Sequence, residues 1–203
     1  MANVILLNGA SSSGKTTLAE TLQQLLPEPY QYIGLDQFRD GMPMRVRGLN
    51  APLGTEGALG MNVVPAELNG EPVTEIQLGE YGDSVMAGMR RTVATFAEGG
   101  IPVIVDDLLF KPEYLTDYAD ILNHGSTWLV AVTCDLEVIN QREASRIGRF
   151  PGTATAHHEL IHSHVPEYDL VVDTTAETPK QSAMRILERL EHPPHALSKA
   201  SIR

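Results

Sequence analysis

Apolar positions along the chain fall into two rhythms. Short continuous runs have the length of strands covered on both faces: Val4-Ile5-Leu6-Leu7, Ile101-Pro102-Val103-Ile104-Val105, Trp128-Leu129-Val130-Ala131-Val132-Thr133 and Leu170-Val171-Val172-Asp173. Between them, apolar residues recur at helical spacing: Leu18, Leu22, Leu25 and Leu26; then Val85, Met89, Val93 and Phe96; then Leu115, Tyr118, Ala119 and Leu122. These patterns predict helices over residues 17–26, 79–98, 112–123 and 135–145. A further helix opens at Thr178-Pro179-Lys180-Gln181, with a hydroxyl cap, proline at the first helical position and glutamine three residues past the cap. A short strand over Tyr30–Leu35 leads to Asp36, followed by a short helix over 37–42. Strands and helices alternating in this way predict an α/β fold with a mostly parallel sheet.

Two stretches break the alternation. From Pro43 to Gln77 the chain is punctuated by Gly48, Pro52, Gly54, Gly57 and Gly60. Within it, residues 61–64 and 73–76 are expected to pair as a hairpin around Asn69-Gly70. An irregular insert of this length, about 43–78, is more often functional than idle. Residues 146–156, with Gly148, Pro151 and Gly152, read as a loop within a lid spanning about 142–162. The tail, 192–203, reads as frayed.

The length of 203 residues fits one domain, placed at 1–191. A net charge of −11 argues against a general nucleic-acid or anionic-membrane binder, so any anionic ligand must meet locally placed lysine and arginine. The single cysteine, Cys134, falls at the end of a buried strand, which precludes an internal disulfide and suits a reducing cytoplasm. The apolar runs are too short for a membrane span, and the first is too short for a signal peptide.

Gly9-Ala10-Ser11-Ser12-Ser13-Gly14-Lys15-Thr16 fits G-x-x-x-x-G-K-(S/T), a phosphate-binding loop, and lies between a strand and a helix as that loop requires. Glycine lets the backbone curl so that its N–H groups face a triphosphate, and the helix N-terminus adds positive potential. Lys15 is expected to reach the β- and γ-phosphates of ATP and to face solvent without nucleotide, while Thr16 holds Mg²⁺. Thr17 and Arg142 extend the nucleotide-binding set. Asp106 and Asp107 end an apolar strand, where an acid organises Mg²⁺; Asp106 is the first choice, and Asp107 could instead face the acceptor. Asp36, also at a strand end, suits a carboxylate that takes the proton of an acceptor hydroxyl; a helix N-cap is its bland and compatible reading. Arg142, Arg146 and Arg149 share one face if their helix continues, and lid arginines such as Arg146 and Arg149 supply mobile positive charge to a transferred phosphoryl group.

One motif points elsewhere. His158-Glu159-Leu160-Ile161-His162 spells H-E-x-x-H, which on a helix could bind Zn²⁺ with Glu159 as base. Neighbouring His157 and His164 raise the chance of a fortuitous match, and Pro166 ends the segment. The competing reading is a helix beside the lid, with His162 near the acceptor.

Taken in order, these residues resemble chloramphenicol 3-O-phosphotransferase and its P-loop kinase relatives. The resemblance runs along most of residues 3–175. It includes Leu7-Asn8-Gly9, Leu26-Pro27-Glu28-Pro29, Gly34-Leu35-Asp36, Met42-Pro43, Val105-Asp106-Asp107, Cys134-Asp135, Arg142-Glu143, Arg146 with Arg149, and Glu167-Tyr168-Asp169 leading to Val172-Asp173-Thr174-Thr175. It implies a P-loop NTPase fold, a mononucleotide-kinase-like three-layer sandwich with a lid. It further implies ATP and Mg²⁺ as donor system, Asp36 as general base, and Arg146 and Arg149 as lid arginines. The insert at 43–78 departs from the family, so the resemblance supports transfer to a small-molecule hydroxyl and leaves the acceptor open. A nucleotide, sugar or metabolite kinase and a nucleotide-binding regulatory module are the alternatives; a pure sensor needs neither Asp36 nor the lid arginines.

Overall fold

The computed structural model describes residues 3–145 and 152–200. Among them, five parallel strands form a sheet in the order β2-β6-β1-β7-β8: β2 (Gln31–Gly34), β6 (Val103–Asp107), β1 (Val4–Asn8), β7 (Thr127–Thr133) and β8 (Leu170–Asp173). The register aligns Asn8 with Asp107 and Ala131, so β1 and β6 end at one level and β7 runs on to Thr133. Strand β1 lies between crossovers that leave in opposite directions, the place where parallel sheets hold ligands.

The continuous apolar runs are explained by cover on both faces. Ile5, Leu7, Ile104, Trp128 and Val130 pack under α1 (Lys15–Leu25) and α8 (Pro179–Leu190). Val4, Leu6, Val103, Val105 and Leu129 pack under α3 (Glu80–Glu98) and α4 (Pro112–Ile121). The capping box at Thr178 is present: its Oγ1 accepts from the Gln181 backbone N–H, and the Gln181 side chain reaches back to the Thr178 N–H.

The insert is more ordered than its glycines suggest. Its hairpin is longer than expected, with β4 (Met61–Leu68) antiparallel to β5 (Glu71–Leu78) and β3 (Arg47–Leu49) parallel to β4. Asn69 and Gly70 both have positive φ, 54° and 84°, as a two-residue hairpin turn needs. The helix before the insert, α2, runs Leu35–Gly41.

Two expectations are corrected. The described part of the tail is ordered: α9 (Ala196–Ala200) buries Ala196 and Leu197 against α4 and β7. Asp169 anchors it, accepting from the backbone N–H of His195 at 2.8 Å and from Arg189. The segment read as an irregular lid is helical from Thr153, with α6 (Thr153–His157) packed on β5 and α7 (Leu160–Ser163) following. Helix α5 (Leu136–Ala144) carries Glu143, a buried carboxylate that accepts from the backbone N–H groups of Gly152 and Ala154 and so pins the start of α6.

Candidate active site

The phosphate loop forms between β1 and α1. Gly9 has no alternative: a Cβ there would lie 2.3 Å from the Val132 carbonyl oxygen. Gly14 caps α1 at φ 98°, a left-handed conformation that glycine adopts freely. Ser12 adopts φ 62°, the kind of local strain that collects at functional sites. The hydroxyls of Ser12 and Ser13 are buried and have no hydrogen-bond partner among the described residues. No side chain caps α1, so its first N–H groups are left without a side-chain acceptor. Unmet donors around a positive helix end fit a polyphosphate, so Gly9 to Thr16 fit the group that the sequence implies. Thr17 follows on the exposed face of α1.

Lys15 corrects an expectation. It is 6% exposed rather than solvent-facing. Its Nζ donates to the carbonyls of Gly9 at 2.6 Å and Ala10 at 3.0 Å, and lies 3.4 Å from Asp106 Oδ1. A buried ammonium needs such partners, because burial without them costs far more than the hydrogen bonds return.

Asp106 and Asp107 separate cleanly. Asp106 Oδ2 accepts from Thr16 Oγ1 at 2.8 Å and from the Tyr32 hydroxyl at 3.1 Å. Burial and the adjacent Asp106 push the Tyr32 hydroxyl pKa upward, so Tyr32 stays a donor. This hydroxyl–carboxylate pair beside the loop is an oxygen donor set suited to Mg²⁺. Asp107 is turned inward and fully buried, accepting from the Leu108 N–H and the Tyr118 hydroxyl. Burial raises its pKa, and it faces neither metal nor acceptor.

Asp36 lies in the first turn of α2, with Gly34 as the N-cap and the Gln37 side chain accepting from the Gly34 N–H. The capping reading of Asp36 is therefore set aside. Its half-exposed carboxylate lines one cleft with Lys15, Thr16, Asp106, Arg39 and Leu35. Met61 and Ile76 of the insert and Leu108 close the far wall. Arg39 NH1 donates to Asp36 Oδ1 at 2.6 Å.

Arg142 lies against the back of the loop. It donates to the Thr174 carbonyl at 2.9 Å, and its NH1 is 3.5 Å from the carbonyls of Ser12 and Ser13. Thr174 Oγ1 also donates to the Ser13 carbonyl, at 2.6 Å. Arg146 and Arg149 lie outside the described residues.

The H-E-x-x-H match does not form a metal site; no group of metal-ligating side chains is present among the described residues. Residues 158 and 159 are a turn between α6 and α7, so the two histidines do not share a helical face. His158 Nε2 bonds the Cys134 carbonyl and His162 Nδ1 bonds the Tyr168 hydroxyl. Burial, with His158, Lys15 and His164 nearby, lowers the His162 pKa to about 4. His162 faces a hollow by the ends of β7 and β8, not the Asp36 cleft as expected.

Tyr32 and Arg39 escaped the sequence reading, and Thr174 entered it only within the run that carries the resemblance, with no role of its own. Arg39 carried a usable signal, its three-residue spacing from Asp36 on a helix. Thr174 carried none, since its partners are 161 and 32 positions away.

Fold and cleft together define a P-loop kinase-fold protein. Related solved structures agree on the fold. They include a sugar kinase from Janibacter sp. (TM-score 0.64, 16% identity, 100% of each chain covered) and a tunicamycin resistance protein from Deinococcus radiodurans (0.60, 14%, 96% and 99%). Shikimate kinase from Aquifex aeolicus is similar as well (0.60, 16%, 93% and 96%). The chain belongs to the chloramphenicol phosphotransferase-like family, whose sequence model matches residues 2–191. Relatives from two Mycobacterium tuberculosis strains, provisionally named O-phosphotransferases, are 30% identical over 195 residues, 96% of this chain and 85% of theirs.

Proposed function

We propose that this protein transfers the γ-phosphate of ATP to a hydroxyl of a small molecule. The observation that carries the reading is the meeting of Asp36 with Lys15, Thr16 and Asp106 on one cleft: a carboxylate faces the phosphate loop across a gap walled by the insert. A nucleotide-binding regulator has no use for a base in that position. ATP would supply the phosphoryl group, and Mg²⁺ would neutralise its charge. The loop's N–H groups and Lys15 would hold the phosphates, and Thr16 with Asp106 would hold the metal. Arg146 and Arg149, which the family resemblance marks as lid arginines, would add charge. Asp36 orients the acceptor hydroxyl and takes its proton as the oxygen bonds phosphorus and ADP leaves.

The apolar wall of the cleft, Leu35 together with Met61, Ile76 and Leu108, suits an acceptor with an apolar body next to its hydroxyl. A family name that mentions chloramphenicol does not extend to this wall, because shared transfer machinery leaves the acceptor free to differ. Sugars and other metabolites are the second class to test. A reducing cytoplasm suits the single buried cysteine. No described helix is long and apolar enough to cross a membrane.

The test is a screen of hydroxyl compounds, chloramphenicol and simple sugars included, for acceptor-dependent ADP formation. Asp36→Asn should keep ATP binding and lose transfer by about 10²-fold or more, the scale of general base catalysis. Transfer by Asp36→Asn at the parental rate removes Asp36 from the reaction.

A further inference from the structure

Among the described residues, Arg39 is a cation that touches the proposed base. Its NH1 donates to Asp36 Oδ1 at 2.6 Å, three residues along the same helix. The guanidinium is itself held from the other side: Nε and NH2 grip the two oxygens of Asp40 at 2.9 and 3.1 Å. Asp40 is shared with Arg47 NH1 at 3.3 Å. Arg47 is the first residue of β3, so the chain Asp36–Arg39–Asp40–Arg47 runs from the cleft into the insert. A bidentate pair fixes a guanidinium in plane as a single ion pair does not. Arg39 is about a quarter exposed and lines the same cleft as Lys15 and Asp106.

We infer that Arg39 is a positioning residue for phosphoryl transfer: braced by Asp40 and Arg47, it holds the Asp36 carboxylate at the angle from which it takes the acceptor proton. The inference rests on the proposed reaction. In that step the acceptor O–H bond breaks, its proton goes to Asp36, the oxygen bonds the γ-phosphorus, and the bond to the ADP oxygen breaks. Arg39 gains and loses nothing in it. Its contribution is to remove carboxylate orientations that cannot reach the hydroxyl, and a misplacement of about 1 Å is enough to slow such a step severely. The brace gives the insert a mechanical connection to the base as well as a wall of the cleft.

The experiment is a double-substitution cycle on the full chain. Transfer is followed with ATP–Mg²⁺ and the best acceptor of the screen. The slow release of phosphate to water, which needs no added acceptor, is followed in parallel. Arg39→Ala should lower kcat by about 10- to 100-fold, the scale of one charge-assisted hydrogen bond, with the KM for ATP within about twofold. Arg39→Lys should recover part of the loss, and Arg47→Ala should show a milder form of the same split. In an Asp36→Asn background, Arg39→Ala should cost nothing further, because its effect passes through Asp36. If Arg39→Ala folds poorly, Arg39→Met and Arg39→Lys carry the comparison, with the thermal midpoint of each recorded.

Parental kcat in a folded Arg39→Met protein overturns the inference while leaving the reaction standing. Losses that multiply in the Asp36→Asn background overturn it too, and assign Arg39 to direct contact with the acceptor. Should no compound accept phosphate, the proposed acceptor class fails instead. The cycle is then read from phosphate release alone, where an equal rate in Arg39→Met and parent overturns the positioning role.

Discussion

Thr16 and Asp106 are 90 positions apart in sequence, and the threonine hydroxyl donates to the carboxylate at 2.8 Å. The contact joins the first turn of α1 to the end of β6, and its geometry follows from the parallel pairing of β1 with β6. Two oxygens brought together by the sheet itself give a corner that would suit Mg²⁺ without any loop closing over it.

Asp106→Asn should therefore weaken the Mg²⁺ dependence of nucleotide binding while leaving the fold intact, because asparagine keeps the Thr16 and Tyr32 contacts available. Calorimetric titration of ATP with and without Mg²⁺ measures this directly. A Mg²⁺ effect equal to that of the parent would move the metal to another carboxylate.

Lys15→Ala should lower transfer by at least about 10²-fold, the loss seen when a phosphate-directed charge is removed from a preorganised site. Burial adds a second expectation. The Gly9 and Ala10 carbonyls and Asp106 lose their shared cation, so the variant should also unfold at lower temperature. Steady-state kinetics and a melting curve on one sample check both. Turnover at the parental rate in a folded variant would dismantle the phosphate-loop assignment.

Acid should loosen the α6–α7 segment. His157 is buried against Phe110, and burial lowers its pKa; that of His162 falls to about 4. Both are neutral when folded and bind a proton more readily when unfolded, near pH 6.5. Their stabilisation is whole above pH 6.5 and is lost as the pH falls from there towards 4. Asp107, with its pKa raised, acts in the opposite sense, so Asp107→Asn separates the two contributions. In His162→Asn, whose side-chain oxygen can still accept from Tyr168, the melting temperature should fall less steeply between pH 7 and 5. An unchanged slope would show that His162 does not titrate with unfolding.

Truncation after Glu191 should cost about 2–4 kcal/mol, from the burial of Leu197 and lost hydrogen bonds at Asp169. Urea denaturation of the truncated chain measures it, with Leu197→Ala as the control for the side chain alone. A midpoint equal to the parent's would mean that α9 contributes nothing to the folded state.

Features written locally were legible in the sequence. The phosphate loop needs a contiguous run between a strand and a helix, and both flanks carried clear periodicity. Asp36 and Asp106 were legible because each ends an apolar run, and strand ends are where a parallel sheet gathers its ligands. The choice between Asp106 and Asp107 was only half legible. Neighbouring strand residues face opposite ways, but which face carries the loop depends on how β6 pairs with β1. Helix α9 was hidden because its apolar face is three residues among Ser, Lys and His, too little to favour a helix without the α4 and β7 surfaces it covers. The H-E-x-x-H match forms no metal site because its histidines have other partners, the Cys134 carbonyl for His158 and the Tyr168 hydroxyl for His162. His158 spends a ring nitrogen on Cys134, and the chain turns there instead of continuing the helix.

The capture of Lys15 by its own loop also bears on how nucleotide arrives. With its ammonium folded under Gly9 and Ala10 and facing Asp106, the loop displays little of that charge to the surroundings. A tetra-anion approaching a protein of net charge −11 then meets repulsion from a distance, not a guiding field. Added salt, which shortens the reach of that repulsion to about 8 Å at physiological strength, should quicken encounter with ATP, the reverse of an electrostatically steered site. Recognition at this loop would then begin at contact, with phosphates taking the place of two carbonyls and a carboxylate as the partners of one lysine.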